Sequence, residues 1–328
     1  NMQKIYILTE GGAGIGLGHV TRCLAIYKEL QKHQVEVEII IDKMSELLLQ
    51  IDGEYQYIDW KNMDFLQGFL TEDDQVVIDS YLASINVYEW LVKNVKRLWI
   101  IDDNCRLDFP EKATVINPSL NAKTLGYSKK TIENDLLGIS YAILREAFQK
   151  VEYIEIKKSG QWLVTFGGTD LLNVTPRLIR EICTQYPKKI FKIIVGSDYH
   201  NINEIQIEMQ NVKNVILLSN VSAFKMRKLM QESEGVISAC GQTIYELLRL
   251  RTFFIPVQIV DNQINNAKGL EQIGIPVCHS FEDLKIRFEE VLKTGFPIPP
   301  NLVDGQGVRR TTACSYAPAD KGYGIRAA

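Results

Sequence analysis

Apolar runs of strand length alternate with amphipathic, helix-spaced segments along the chain, and the sequence passes through that alternation twice. Ile5 to Leu8, Val35 to Ile41, Val76 to Asp79, Leu98 to Asp102 and Ala113 to Ile116 read as strands, the last of them closing the first half, with helical patterns such as Ser84 to Lys93 between them. Trp162 to Phe166, Ile190 to Val195, Val215 to Leu218, Gly235 to Ser238 and Phe253 to Val257 repeat the scheme, with a helix from Asn173 to Thr184 after the first. Strands this uniformly apolar bury both faces, pair in parallel and need helical crossovers. The pattern predicts an α/β chain of two Rossmann-like, doubly wound parallel-sheet domains. A length of 328 residues also exceeds what one core usually serves. The expected boundaries are 1–150 and 151–300, joined through the charged stretch Lys150 to Gly160. Asn117 to Leu136 reads as a long polar loop, and 301–328 as an irregular tail rich in Gly, Ala and small polar residues.

Between the first strand and the first helix runs Gly14-Ile15-Gly16-Leu17-Gly18-His19-Val20-Thr21-Arg22. Cys23, Leu24, Ile26, Tyr27 and Leu30 follow at helical spacing, which puts His19 in the first turn. In an open α/β sheet that position faces the crevice beyond the strand ends, where ligands bind. A first-turn His can also just bond a loop or line the core. Here the flanking glycines admit a close approach, and the helix N-terminus favours a neutral, basic imidazole. A dinucleotide fingerprint is the alternative, kept open by Asp42 some twenty residues on, although no register gives a strict G-x-G-x-x-G.

A second turn of the same kind follows Val236-Ile237-Ser238: Ala239-Cys240-Gly241-Gln242-Thr243 opens a helix carrying Ile244, Leu247, Leu248 and Leu250. Its first amides would face an anion, and a diphosphate fits. Glu246, one turn on, is placed to accept from a ribose diol, or else only complements the helix dipole. The next strand runs into Asp261-Asn262-Gln263, where Asn262 is a ligand contact or a helix N-cap.

A net charge of -3 without a basic block argues against nucleic acid or an anionic membrane surface as the main partner. Six cysteines without a C-x-x-C pair suggest neither a zinc site nor a disulfide framework, and no apolar run approaches a bilayer span. A small-molecule substrate, no metal, no cofactor and a reducing, cytoplasmic setting are the expectations.

The ordered motifs Ile15-Gly16-Leu17-Gly18-His19 with Arg22, Ile78-Asp79-Ser80-Tyr81, Ile101-Asp102-Asp103, Tyr141 to Arg145, Phe166-Gly167-Gly168-Thr169-Asp170, Gly241 to Glu246 and Asp261-Asn262-Gln263 resemble the PseG/SpsG family of nucleotide-sugar hydrolases, which are related to MurG-type glycosyltransferases of the GT-B fold. The resemblance runs from the first strand to about residue 280. It implies a hydrolase that frees an amino or acetamido sugar from a UDP-sugar, in bacterial surface or flagellar glycan synthesis such as the pseudaminic acid pathway. It further implies that His19 is the catalytic histidine, with Tyr81 and Asn262 lining the sugar beside it and Gly16, Gly18, Arg22 and Gln263 as further substrate contacts. Gly168, Gly241, Gln242, Thr243 and Glu246 would hold the nucleotide, and backbone around Asn220 and Val221 would read the base. The family carries an Arg-x-Asp element before the glycine loop; this chain has Leu8-Thr9-Glu10. The rival readings are a GT-B glycosyltransferase, a nucleotide-sugar epimerase, a dinucleotide-dependent oxidoreductase and a non-catalytic nucleotide binder.

Overall fold

The computed structural model describes residues 4–12, 15–43, 55–127, 135–154, 159–168, 170, 172–196 and 199–316. Gly14, Thr169, the loop residues 128–134, the linker residues 155–158 and the tail 317–328 lie outside that set.

The first half forms a seven-stranded parallel sheet from β1 (Lys4–Thr9), β2 (Glu36–Asp42), β3 (Gln56–Ile58), β4 (Gln75–Asp79), β5 (Arg97–Ile101), β6 (Thr114–Asn117) and β7 (Leu136–Leu137). Their spatial order is β3-β2-β1-β4-β5-β6-β7. The second half forms a five-stranded parallel sheet from β8 (Gln161–Thr165), β9 (Ile190–Ile194), β10 (Val215–Leu218), β11 (Gly235–Ala239) and β12 (Phe254–Val257), in the order β10-β9-β8-β11-β12.

Period-two alternation explains why both sheets are covered twice. In the first sheet Ile5, Ile7, Ile39, Ile41, Val77 and Trp99 face Val20, Cys23, Ile26 and Leu30 of the helix Gly18–Lys32. Tyr6, Leu8, Ile40, Val76, Ile78 and Ile100 turn the other way and pack on Leu66, Val87, Tyr88 and Leu91. The second sheet repeats this, with Trp162, Val164, Phe191 and Ile237 on one face and Leu163, Val236 and Phe254 on the other.

Three expectations need correction, and one strand was not foreseen. Ala113 to Ile116 does not close the first half, because β7 adds a further edge strand; with two residues it is too short to leave a periodic signal. β3, three residues long, was invisible for the same reason. The helix from Asn173 shortens to Val174–Glu181, and a 3-10 turn at Cys183–Gln185 completes it. The segment after 300 is not irregular throughout: Gly307–Tyr316 is a helix that packs on Gly18–Lys32 of the first half. Small and polar residues hid it, since Val308, Thr311 and Thr312 supply its buried side without an apolar stripe.

The chain therefore crosses between the halves twice. Ala142, Leu144, Ala147 and Phe148 precede the second sheet yet belong to its core, beside Ile244, Leu247 and Leu248, and the last helix returns to the first half.

Candidate functional site

Strand order locates the site. In each sheet the chain winds outward in both directions from a central pair, β1/β4 in the first and β8/β11 in the second. At such a switch point adjacent loops leave in opposite directions and open a crevice at the carboxyl ends of the strands. The loop and first turn after β1 carry Gly16, Gly18 and His19; Tyr81 follows β4, Gly168 follows β8, and Gly241, Gln242 and Thr243 follow β11. The two crevices face each other across one cleft of about 720 Å³.

All fourteen residues singled out from the sequence line this cleft: His19, Tyr81, Asn262, Gly168, Asn220, Val221, Gly241, Gln242, Thr243, Glu246, Gly16, Gly18, Arg22 and Gln263. The halves approach closely, since a Cβ added at Gly18 would lie 4.0 Å from Cγ of Gln242. Elsewhere Asn265 Nδ2 donates to Asn104 Oδ1 across the boundary at 2.8 Å.

Two glycines are demanded by the geometry. Gly16 has φ +79°, and its amide and carbonyl close the loop neck onto Gly12 at 2.7 and 3.1 Å. At Gly196 any Cβ would sit 2.1 Å from the carbonyl oxygen of Gly168, so the loop after β9 can pass under the β8 turn only without a side chain.

The histidine is held by a partner sixty residues away. Thr9 at the end of β1 lies beside Asp79 at the end of β4, which sets Asp79 beneath the helix start. Asp79, fully buried, takes His19 Nδ1 on Oδ1 at 2.6 Å. Arg22, one turn beyond His19, donates to the same carboxylate through Nε at 2.5 Å and Nη2 at 2.8 Å. Arg22 also grips both oxygens of Asp103, at 2.8 and 2.9 Å. Burial on its own would raise the Asp79 carboxyl, but Arg22 and His19 outweigh it and hold Asp79 well below the usual carboxylate range. An ionised Asp79 keeps the ring proton on Nδ1 and leaves Nε2 as the acceptor. Arg22 is therefore committed to two carboxylates rather than free for substrate.

Tyr81 stands edge-on to His19, ring centres 4.2 Å apart at 88°, and donates to Asp103 Oδ2 at 3.1 Å. Burial first, then the Asp103 charge, pushes its phenol far above the ordinary range, so it remains protonated. Its loop is anchored by Glu10, which accepts from the amides of Tyr81 (2.6 Å) and Leu82 (2.9 Å) and from Ser80 Oγ (2.8 Å). Glu10, the last residue of Leu8-Thr9-Glu10, is thus a buried loop anchor.

On the opposite wall, Gly241, Gln242 and Thr243 lead into the helix Thr243–Leu250, and their amides precede its first backbone bonds, from the Ile244 amide to the Gly241 carbonyl at 3.3 Å and from the Tyr245 amide to the Gln242 carbonyl at 3.1 Å. Glu246 is not solitary: Arg145 donates to Oε1 from Nε at 2.7 Å and to Oε2 from Nη2 at 2.8 Å. Asn262 sits in a 3-10 turn, Asp261–Gln263, ahead of the helix Ile264–Gln272, with Gln263 rather than Asn262 at the cap position. Gln263 accepts from the Ile259 amide at 3.0 Å.

Of the aspartates that end the strand readings Val76 to Asp79 and Leu98 to Asp102, Asp79 serves the histidine. Asp102 ties a turn, accepting from the Cys105 amide at 2.6 Å and from the Tyr127 hydroxyl. The roles of Asp103 and Arg145 escaped sequence reasoning, because their partners come from other elements. Asp42 pairs with Lys61 at 2.5 Å. Among the described residues no group of three or more His, Cys, Asp or Glu is arranged to hold a metal, and no helix is long and apolar enough to cross a membrane.

No family profile matches the chain. It is 25% identical over 291 residues to the Helicobacter pylori protein named pseudaminic acid cytidylyltransferase and UDP-2,4-diacetamido-2,4,6-trideoxy-beta-L-altropyranose hydrolase, covering 88% of this chain and 51% of that one. An uncharacterized Methanocaldococcus jannaschii protein is 26% identical over 79% of this chain and 55% of its own. The chain thus spans about half the length of these two relatives. The Campylobacter jejuni UDP-2,4-diacetamido-2,4,6-trideoxy-beta-L-altropyranose hydrolase is matched over its whole length, at 24% identity and 85% of this chain. Among solved structures, UDP-GlcNAc 2-epimerase from Neisseria meningitidis superposes with a TM-score of 0.63 at 13% identity, over 95% of this chain and 99% of that one. MurG of Acinetobacter baumannii gives 0.59 at 16%, again over 95% and 99%. The chain has the GT-B fold and resembles in sequence, at about a quarter identity, proteins named as PseG-type UDP-sugar hydrolases.

Proposed function

We propose that this chain hydrolyses a nucleotide sugar, with a UDP-sugar as the substrate class, releasing the free sugar and the nucleoside diphosphate. The supporting observation is the Asp79-held imidazole of the first half and the amide-rich helix start of the second lining one cleft. Two of the curated relatives are named as hydrolases of this class.

In this reading Nε2 of His19 takes a proton from water as the water oxygen bonds to the anomeric carbon. The bond from that carbon to the phosphate oxygen breaks, and its electron pair leaves on the diphosphate. General-base help of this kind is worth roughly 10²–10⁴ in rate. The growing phosphate charge meets the Gly241 to Thr243 amides, which are oriented before the reaction begins. The leaving diphosphate needs little protonation, so a single base is enough. Tyr81, protonated and locked by Asp103, limits how the sugar can lie against the imidazole.

A second reading follows from the solved neighbours, which include MurG and a rhamnosyltransferase: the same donor grip with a sugar or lipid hydroxyl in place of water. One experiment separates the two. UDP-, GDP- and CMP-sugars are offered singly in ¹⁸O-labelled water, and products are resolved by mass spectrometry. Hydrolysis at the anomeric carbon puts the label in the sugar. Label in the phosphate rejects the proposed attack, and turnover only after an acceptor is added supports the transferase.

A further inference from the structure

Glu246 is the one carboxylate that the second half contributes to the cleft lining among the described residues, and both its oxygens are held by one guanidinium. The bridge is not a strap between the halves. Arg145 lies within the segment whose Ala142, Leu144, Ala147 and Phe148 share a core with Ile244, Leu247 and Leu248 of the helix bearing Glu246. Its guanidinium carbon rests 5.2 Å from the centre of the Phe148 ring. Acid and base therefore rest on one shared core.

A free glutamate turns about three bonds, whereas a planar fork fixes both oxygens at once. The fork occupies one lone pair on each oxygen and leaves another on each oxygen open. We propose that Arg145 is a positioning residue that presets Glu246 to accept a ribose hydroxyl, and so makes the site select ribonucleotides over deoxyribonucleotides. The inference rests on the nucleotide-sugar reading given above.

Calorimetric titration of the full chain with UDP, 2′-deoxy-UDP and 3′-deoxy-UDP tests it. The wild type is expected to bind the weaker of the two deoxy compounds on the order of tenfold to a hundredfold less tightly than UDP, as befits a lost hydrogen bond to a charged acceptor. Arg145→Lys keeps the charge but cannot grip both oxygens, and Arg145→Gln removes the charge; in either, the preference is expected to fall to within about twofold. Deoxynucleotide affinity should change little. A merely structural role would weaken all three ligands alike and leave their ratio intact, which overturns the inference. A wild type that binds all three equally overturns it as well, and so does failure of both variants to fold, since that would mark the pair as structural. A wild type that binds no UDP instead removes the nucleotide-sugar reading itself.

Discussion

Asp79→Asn is the sharpest perturbation of the site, because the substitution keeps shape and volume while breaking its hydrogen-bond logic. In the native arrangement Oδ1 accepts from both His19 Nδ1 and Arg22 Nη2, and Oδ2 accepts from Arg22 Nε at 2.5 Å. An amide offers one acceptor and one donor. If its oxygen faces His19, its NH₂ group meets the Arg22 Nε proton; if its NH₂ faces His19, it demands the Nδ1 lone pair and drives the proton to Nε2, which then cannot act as a base. Either arrangement costs the arginine one bond, at Nε in the first and at Nη2 in the second, and leaves its two bonds to Asp103; the second is the one expected, as in other histidines held by a buried aspartate. A histidine in the wrong tautomer costs up to about 10⁴ in comparable acid–histidine pairs, and base catalysis as a whole is worth roughly 10²–10⁴. The expected loss in kcat is therefore on the order of 10³, or about 4 kcal/mol. Breaking a buried pair outright costs ~3–5 kcal/mol, but Arg22 remains paired with Asp103, so a stability loss of roughly 2 kcal/mol is expected. Donor hydrolysis, UDP titration and urea denaturation on one preparation measure all three quantities. A folded Asp79→Asn protein whose kcat stays within about threefold of wild type would refute the tautomer argument, since base catalysis of this kind is worth far more than that.

His19→Asn should bind UDP as the wild type does while losing roughly 10²–10⁴ in turnover, because the imidazole acts on water and not on the nucleotide; parallel loss of UDP affinity would place the ring in binding instead. Gly235→Ala should destabilise by about 1–3 kcal/mol in thermal denaturation, with the active site untouched: the new Cβ would lie 2.6 Å from the Trp162 ring and 2.9 Å from Phe253. Asp79 also sets an acid dependence. Its folded carboxyl is held below its unfolded value, so its contribution is fully present above about pH 4 and lost as the pH falls further. Urea midpoints of wild type and Asp79→Asn should therefore differ at pH 7 and converge towards pH 3; a gap that widens on acidification would reverse the sign of this reasoning.

The fold was legible wherever a strand was long enough to be apolar over several residues, as in β1, β4, β8 and β11, and these four are the strands that place the site. Edge strands of two or three residues carry no period, and the last helix hides its buried side behind threonines. His19 and the Gly241 turn could be picked out because a glycine-bounded helix start is a local signal. Asp79, Asp103 and Arg145 could be located but not assigned, since their partners depend on which strand lies next to β1 and on the segment 142–148 joining the second core. Glu246 shows the limit of local reading: a ribose ligand and a dipole partner were both considered, and neither anticipated an arginine 101 residues earlier in the chain on both its oxygens.

The same pairing bears on how a diphosphate would be held. Among the described residues lining the cleft, the arginines are Arg22 and Arg145 and there is no lysine; Arg22 is shared by Asp79 and Asp103, and Arg145 is bound by Glu246. Neither guanidinium is left to act as a free counter-ion. The grip must come from dipoles, chiefly the Gly241, Gln242 and Thr243 amides at the start of the helix Thr243–Leu250, each worth roughly 0.3–1 kcal/mol exposed and up to about 2 when partly buried. Hydrogen bonds from oriented amides at short range are screened far less than attraction between exposed charges. UDP affinity should accordingly change by no more than about threefold between 0.05 and 0.5 M salt, an interval over which the Debye length shrinks from roughly 14 to 4 Å. A loss of tenfold or more over that interval would mean that a cation outside this set carries the phosphate, and the amide cradle would have to be given up.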